Sequence, residues 1–208
     1  MNKGKIMKFT ILIGVTLLLL SCSQQQDETI SLTESDQNLG PLLGLSIFHL
    51  PSDWITQDNE SIKLKDLRGN VLVMVMIYTS CQASCPRLVA DMRSIESKIP
   101  GKFKEKVKLL LVSIDPKTDT PESLKKFAID NKMAGDQWMF LNGTEEDVRE
   151  FAMVLGFKYK KISTIDFSHS NIISVFNHEG VLTYQKNGLG VDNKEIVSEI
   201  IESADAIH

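Results

Sequence analysis

The stretch VLVMVMIYTSCQASCPRLVADMRSIESKI, residues 71 to 99, holds the features from which the fold of this 208-residue chain can be predicted. Residues 71 to 79 form a continuous apolar run, which is typical of a strand buried on both faces of a sheet. After Cys85, apolar residues recur three or four positions apart, at Leu88, Val89, Met92, Ile95 and Ile99. That spacing predicts an amphipathic helix with Pro86 in its first turn. A buried strand, a short loop with two cysteines and a helix therefore follow one another.

The downstream sequence continues this alternation of strand and helix. We predict a buried strand over 107–115, a helix capped by Thr120, a strand over 138–142, a helix ended by Gly156, a polar stretch over 158–170, a hairpin around NHEG (177–180) and a closing helix. This order predicts an α/β, thioredoxin-like fold: a mostly parallel central sheet, a C-terminal antiparallel hairpin and flanking helices. The two cysteines fall at the carboxyl end of a buried strand, where open α/β sheets place their sites.

The N-terminus is typical of an exported lipoprotein. A lysine-rich start and a dozen apolar residues predict a signal peptide over 1–21, and this apolar run is too short for a comfortable membrane span. LLSC (19–22) is similar to a bacterial lipobox, so we expect Cys22 to be lipidated; the alternative is an ordinary signal peptide that contains a cysteine. Residues 22–40 are polar and predict a flexible tether, which leaves 41–208 as the folded domain. We therefore expect a bacterial lipoprotein anchored to a membrane, its domain facing the periplasm or the cell exterior.

The charge of the chain argues against nucleic acid as a partner. The formal net charge is −4, and removal of the three lysines of the leader changes it to −7. No basic stripe remains to contact a phosphate backbone. A single monomeric domain is expected.

Cys81 and Cys85 form a C-x-x-x-C pair whose chemistry is open on sequence alone. A structural disulfide would close a very small loop and stabilise the fold little. The predicted helix start favours a reactive pair, and we expect it to lower the pKa of Cys85. Two such thiols could either cycle as a disulfide or bind a soft metal, and a third ligand would decide between the two.

The chain has four histidines from which that third ligand could come. His208 is the terminal residue, His178 lies in the predicted turn, and His49 lies in an early loop or edge strand. His169 ends the polar stretch directly before a predicted strand, in the half of the fold that packs against the cysteine loop. It is the candidate ligand, the alternative being an exposed loop histidine.

Three motifs in the same order resemble the Sco/SenC family of copper-binding thioredoxin-fold proteins. They are LKDLRGNVLVMVMIYTSCQASCP, LVSIDPKTDTPESLKKFA and SHSNIISVFNHEGVL, and the resemblance covers roughly residues 45 to 205. It implies that Cys81, Cys85 and His169 form a site for copper, as Cu(I) or Cu(II) or both. Two thiols and an imidazole also suit Cu(I) chemically.

The sequence departs from the family pattern at two places. Gln82, Ala83 and Ser84 lie between the cysteines, where the family commonly has Pro-Asp. Ser168 precedes His169, where the family commonly has Asp, and Asp166 lies nearby. Neither position is a ligand in the family pattern.

Two acids and several methionines each allow a functional and a structural explanation. Asp115 and Asp119 could support the site from behind its ligands, or Asp115 could close a strand and Asp119 help to cap a helix, and both explanations stay open. The methionines at 74, 76, 92, 139 and 153 are expected to fill the core rather than to form a copper relay.

The resemblance implies a binding and delivery protein rather than an enzyme. It would be a membrane-anchored metallochaperone that assists assembly of the copper A centre of a respiratory (cytochrome c) oxidase. Its partners would be the copper-receiving oxidase subunit and, through the lipid anchor, the membrane. The alternative is a thiol–disulfide oxidoreductase in which Cys81 and Cys85 reduce cysteines of the oxidase subunit or another exported protein.

Overall fold

The computed structural model describes residues 44–81, 85–190 and 192–207. Within these ranges the chain forms nine strands, four α-helices and three short 3-10 helices. The strands are β1 Asp53–Thr56, β2 Ser61–Lys63, β3 Val71–Ile77, β4 Val107–Ser113, β5 Trp138–Asn142, β6 Tyr159–Lys161, β7 Phe167–His169, β8 Ile172–Phe176 and β9 Leu182–Asn187. The helices are α1 Cys85–Lys98, α2 Pro121–Asp130, α3 Glu145–Val154 and α4 Lys194–Asp205, and the 3-10 helices are Ile47–His49, Leu64–Leu67 and Gly101–Lys106.

Three parallel strands form the centre of a seven-stranded sheet of order β2-β1-β5-β4-β3-β8-β9. β3 runs parallel to β4, with Val71 opposite Val107, and β4 runs parallel to β5, with Leu109 opposite Trp138. Every side chain of β3 is buried. A continuous apolar strand of this kind is stable only in the interior of a sheet that is covered on both faces. The predicted α/β class with a central parallel sheet is confirmed.

Antiparallel strands complete the sheet at both edges. The predicted hairpin, β8 and β9, pairs with β3 through Leu72 and Phe176. In its turn Gly180 has φ +75°, and a Cβ there would approach the Ser46 hydroxyl to 2.7 Å, so only glycine fits. At the opposite edge β1 pairs with β2 and β5, in a region where the sequence predicted only a loop or an edge strand.

The helices begin and end where the sequence predicted. α1 begins at Cys85 and buries Leu88, Val89, Met92 and Ile95. Thr120 caps α2 by accepting a hydrogen bond from the Ser123 N–H (3.3 Å). After α3, Gly156 has φ +64°, the left-handed conformation that commonly ends a helix.

Two features of the fold differ from what the sequence predicted. The stretch over 158–170, predicted only as a polar stretch, contains β6 and β7, which pair with each other in a separate two-stranded sheet. Met153 is 70% exposed, because α3 turns Val148, Phe151 and Ala152 inward and Met153 away from them. Met74, Met76 and Met92 are buried in the core as expected.

Several predictions concern residues outside the described ranges. They are the signal peptide over 1–21, the tether over 22–40 with Cys22, the start of the domain at residue 41, the Gln82–Ser84 insert and His208. Among the helices that the structure describes, none combines the length and the apolar character needed to cross a bilayer.

Candidate metal centre

The two cysteines are held by the backbone at the end of β3. The Tyr78 carbonyl accepts hydrogen bonds from the Cys81 N–H (3.2 Å) and from the Cys85 thiol (3.6 Å). The Cys85 N–H, at the start of α1, donates to the Cys81 sulfur (3.3 Å). Cys81 is 8% exposed and Cys85 is 1% exposed, and both are thiols rather than partners in a disulfide. One carbonyl and one helix N-terminus therefore fix the positions of both sulfurs.

His169 reaches the cysteines from the small two-stranded sheet. It is the last residue of β7 and lies opposite Tyr159 of β6. Its ring packs edge-on against Tyr78 (5.6 Å between centroids) and stacks on Phe157 (5.9 Å). Nδ1 lies 2.7 Å from the Ser170 carbonyl, which can only accept a hydrogen bond. Nδ1 must therefore carry the proton, and Nε2 is left with the lone pair that a metal requires.

The structure brings together the three residues that the resemblance named. One potential ligand atom from each of Cys81, Cys85 and His169 lies within 4.8 Å of the other two. Among the described residues no other cluster of three or more His, Cys, Asp or Glu side chains meets this distance, so His49 and His178 belong to none. The geometry could hold one metal ion between the three side chains, and their role as ligands stays a prediction.

The thiol of Cys85 is not the activated thiolate that the sequence predicted. Burial raises the pKa of Cys85, and the neighbouring Cys81 sulfur raises it further. The helix N–H donates to Cys81 instead of to Cys85. The prediction of a lowered Cys85 pKa was therefore wrong, because desolvation outweighs the helix terminus at this position. Both cysteines are buried, and Cys81 is the more exposed of the two residues.

Asp119 supports the cysteine loop, which is one of the two roles that the sequence left open for it. Thr120 caps α2, whereas the carboxylate of Asp119 is buried and accepts hydrogen bonds from the Thr79 N–H (3.2 Å), the Thr79 hydroxyl (2.5 Å) and the Ser113 hydroxyl (2.6 Å). The interpretation of Asp119 as a helix cap was wrong. It joins the ends of β3 and β4 directly before the cysteine loop. Asp115 is also buried and has Lys161 at 3.7 Å.

Tyr78 and Asp166 are the other residues that sequence reasoning missed. The Tyr78 hydroxyl donates a hydrogen bond to the Asp166 carboxylate. Burial raises the pKa of Tyr78, and the hydrogen bond to Asp166 raises it further. The sequence shows a tyrosine next to the cysteine loop and an acid in the polar stretch. Only the fold shows that these two side chains form a hydrogen bond.

The fold and the site together define a class: a thioredoxin-like domain in which two cysteines follow the central strand β3 and a histidine of β7 lies close to them. The chain belongs to the SCO1/SenC family, whose model matches residues 47–204. The predicted family is thus confirmed.

Individual relatives agree with this assignment. The SCO1 protein homolog of Bacillus subtilis (strain 168) is 33% identical over 104 residues, which are 50% of this chain and 53% of that protein, so the match spans about half of the relative. A solved structure of BsSco, described as a member of the Sco family of cytochrome c oxidase assembly proteins with a disulfide switch, is 26% identical. It has a TM-score of 0.66 and covers 82% of this chain and 99% of its own. Yeast Sco1 with copper bound has a TM-score of 0.63 at 20% identity, over 80% of this chain and 90% of its own, and this likeness shows the fold alone.

Proposed function

We propose that this chain is a copper-binding metallochaperone, anchored to the membrane by Cys22, that assists assembly of the copper A centre of a respiratory oxidase. The observation that carries the proposal is the group of two thiols and one imidazole whose ligand atoms lie within 4.8 Å of one another. Membership of the SCO1/SenC family supports it. BsSco, a member of the Sco family of cytochrome c oxidase assembly proteins, supports the choice of partner, and yeast Sco1, which was solved with copper bound, supports the choice of metal.

The donor set suits copper in its reduced form. Thiolates are soft ligands, and two of them with one imidazole satisfy the low coordination number that Cu(I) accepts. Nε2 of His169 would be the nitrogen ligand, since Nδ1 faces a carbonyl. Burial keeps the proton on Cys85, so copper must displace that proton when it binds.

Unequal burial of the ligands suggests how copper would leave. Cys81 and Cys85 are buried, whereas His169 is only half-buried and lies on the small sheet of β6 and β7. A recipient would therefore approach from the histidine side. Its own ligand would replace His169 first, and the two thiolates would then be exchanged in turn, with no change in the oxidation state of copper.

The decisive experiment replaces His169 with alanine. Cu(I) is titrated into reduced full-length chain carrying Cys22→Ser, so that only the candidate site contributes thiols. We expect His169→Ala to lower the copper affinity by at least about 10-fold, because even partners in the outer shell of a metal site contribute about 10–100-fold. Competition with a Cu(I) chelator measures the affinity, and His49→Ala is the matched control and should bind like the parent. Equal affinity in His169→Ala and the parent would remove the histidine from the site.

The alternative function is thiol–disulfide exchange by the same two cysteines. The two sulfurs lie within 4.8 Å of each other, and BsSco is described as having a disulfide switch. Cys81, the more exposed of the two cysteine residues, would attack a substrate disulfide and form a mixed disulfide. Cys85 would then release the reduced substrate and form the Cys81–Cys85 disulfide, which an external thiol must reduce. A reductase needs no imidazole, so His169→Ala would retain full exchange activity.

A cellular experiment also separates the two functions. Rescue of a deletion strain by added copper would favour copper delivery over reduction of cysteines.

The lipid anchor is tested separately in cells. Cys22→Ser is expected to abolish labelling of the chain by a radioactive fatty acid. It should also release the chain from the membrane fraction, because the acylated Cys22 is the proposed attachment to the membrane. Cys81→Ser is the matched control and should remain labelled. Fatty-acid labelling that persists in Cys22→Ser would disprove the anchor and leave the copper site untouched.

A further inference from the structure

One side-chain hydrogen bond joins the two halves of the candidate site. The Tyr78 hydroxyl donates to the carboxylate of Asp166, which lies 88 residues away directly before β7. The same carboxylate accepts from the Phe167 N–H (2.9 Å), and that N–H also lies 3.4 Å from the Tyr78 hydroxyl oxygen. Three contacts thus link the Tyr78 hydroxyl, the Asp166 carboxylate and the Phe167 N–H to one another.

The two strands that carry His169 need such a connection. Among the strands that the structure describes, β6 and β7 pair only with each other and lie outside the seven-stranded sheet. A two-stranded hairpin is marginally stable by itself and must be held by packing against the rest of a domain. Here the Tyr78 ring packs on Phe167 (5.1 Å between centroids) and on His169 (5.6 Å), and the Ser80 hydroxyl donates to the Ile165 carbonyl (3.2 Å).

Tyr78 contacts all three candidate ligands. Its carbonyl accepts from Cys81 and Cys85, its ring lies against His169, and its hydroxyl holds Asp166. The backbone of Tyr78 therefore fixes the positions of the two sulfurs, and its side chain fixes the position of β7, the strand that carries the imidazole. A phenylalanine would keep the ring contacts and lose only the hydroxyl.

We propose that Tyr78 and Asp166 are a positioning pair that holds the β6–β7 hairpin, and with it His169, over Cys81 and Cys85. The inference rests on the proposed function, in which His169 is a ligand. The pair touches no metal. It acts by fixing the distance between the half-buried imidazole and the buried sulfurs, so its loss loosens the histidine and leaves the thiols in place.

The test compares single and double substitutions in the reduced full-length chain carrying Cys22→Ser. Tyr78→Phe and Asp166→Ala each remove the hydrogen bond, and Asp166→Asn keeps an oxygen that can accept it. Tyr159→Phe is the matched control, since it removes a hydroxyl from the same hairpin without touching the pair. Hydrogen exchange of the Phe167 amide by NMR reports on the pair without copper, and the rate of Cu(I) loss to a chelator reports on the ligand.

We expect Tyr78→Phe and Asp166→Ala each to speed exchange of the Phe167 amide by about 10-fold, the value of one hydrogen bond to a charged group. Copper loss should also accelerate by about 10-fold, as for other outer-shell partners. The double variant should lose copper no faster than either single variant, because both substitutions break the same Tyr78–Asp166 interaction. Exchange of the Phe167 amide in the double variant should match that in Asp166→Ala, which also removes the acceptor of this amide. In Asp166→Asn, amide exchange and copper loss should both stay close to the slow rates of the parent. Tyr159→Phe should match the parent in both rates.

The outcomes separate this proposal from the proposed function. If Tyr78→Phe leaves both rates unchanged while His169→Ala weakens copper binding, the positioning pair is disproved and the copper site stands. If the two single effects add in the double variant, Tyr78 and Asp166 act independently and the pair is likewise disproved. If His169→Ala binds copper like the parent, the proposed function fails, and amide exchange alone then decides whether the pair holds the hairpin.

Discussion

Replacement of both Cys81 and Cys85 by serine is expected to abolish specific copper binding, with an affinity loss of more than about 100-fold, beyond what outer-shell partners contribute. A serine hydroxyl is a hard donor that keeps its proton at neutral pH, whereas Cu(I) selects soft thiolates. His169 alone would remain, and a single imidazole cannot hold the ion against a chelator. Cu(I) titration of the double variant against a competing chelator measures the effect.

The fold itself should survive this double substitution. Cys81 and Cys85 are small, and a serine at 85 can donate to the Tyr78 carbonyl as the thiol does. The thermal unfolding midpoint of the variant should therefore stay close to that of the parent, which makes loss of copper a property of the ligands. Cys22→Ser alone is the control and should bind one copper per chain. Full copper binding by the double variant would show that the metal lies elsewhere.

The central part of the fold could be predicted because its sequence signals are long. The apolar run of β3 and the periodic apolar face of α1 each identify one element without help from the rest of the chain. Their junction also located the cysteine pair. His169 was singled out by its place directly before a predicted strand, but that place is also compatible with an exposed loop, and the family resemblance was needed to favour it as a ligand.

The parts that could not be predicted depend on distant contacts. β6 and β7 have three residues each, which is too short to show a strand period, and they are stabilised through Tyr78. Asp119 precedes the cap residue Thr120 in sequence, so its bond to Thr79 becomes visible only once β3 and β4 lie side by side. The pKa of Cys85 was predicted in the wrong direction because the sequence shows a helix start but not the degree of burial.

Asp119→Leu is expected to destabilise the fold by about 3 kcal/mol or more, because buried donors left without an acceptor cost about 1–3 kcal/mol each. The substitution removes the acceptor from the Thr79 N–H and hydroxyl and from the Ser113 hydroxyl, in a position that is 1% exposed. Asp119→Asn should cost much less, since its oxygen can accept from Thr79 and its amide can donate to Ser113. Chemical unfolding at neutral pH measures both values, and Asp130→Leu, at an exposed ion pair, should change stability by at most about 1 kcal/mol.

The pH dependence of the Asn variant provides a second, independent check on Asp119. Burial raises the pKa of Asp119 above its ordinary value of 3.8, so the folded chain binds this proton more tightly than the unfolded chain does. The resulting stabilisation is complete below pH 3.8 and is lost as the pH rises through the raised pKa of the folded state. Asparagine does not titrate, so the stability of the parent relative to Asp119→Asn should increase as the pH is lowered from neutral. A constant difference across that range would mean that the hydrogen bonds from Thr79 and Ser113 offset the burial of the carboxylate, so that the pKa of Asp119 is not raised.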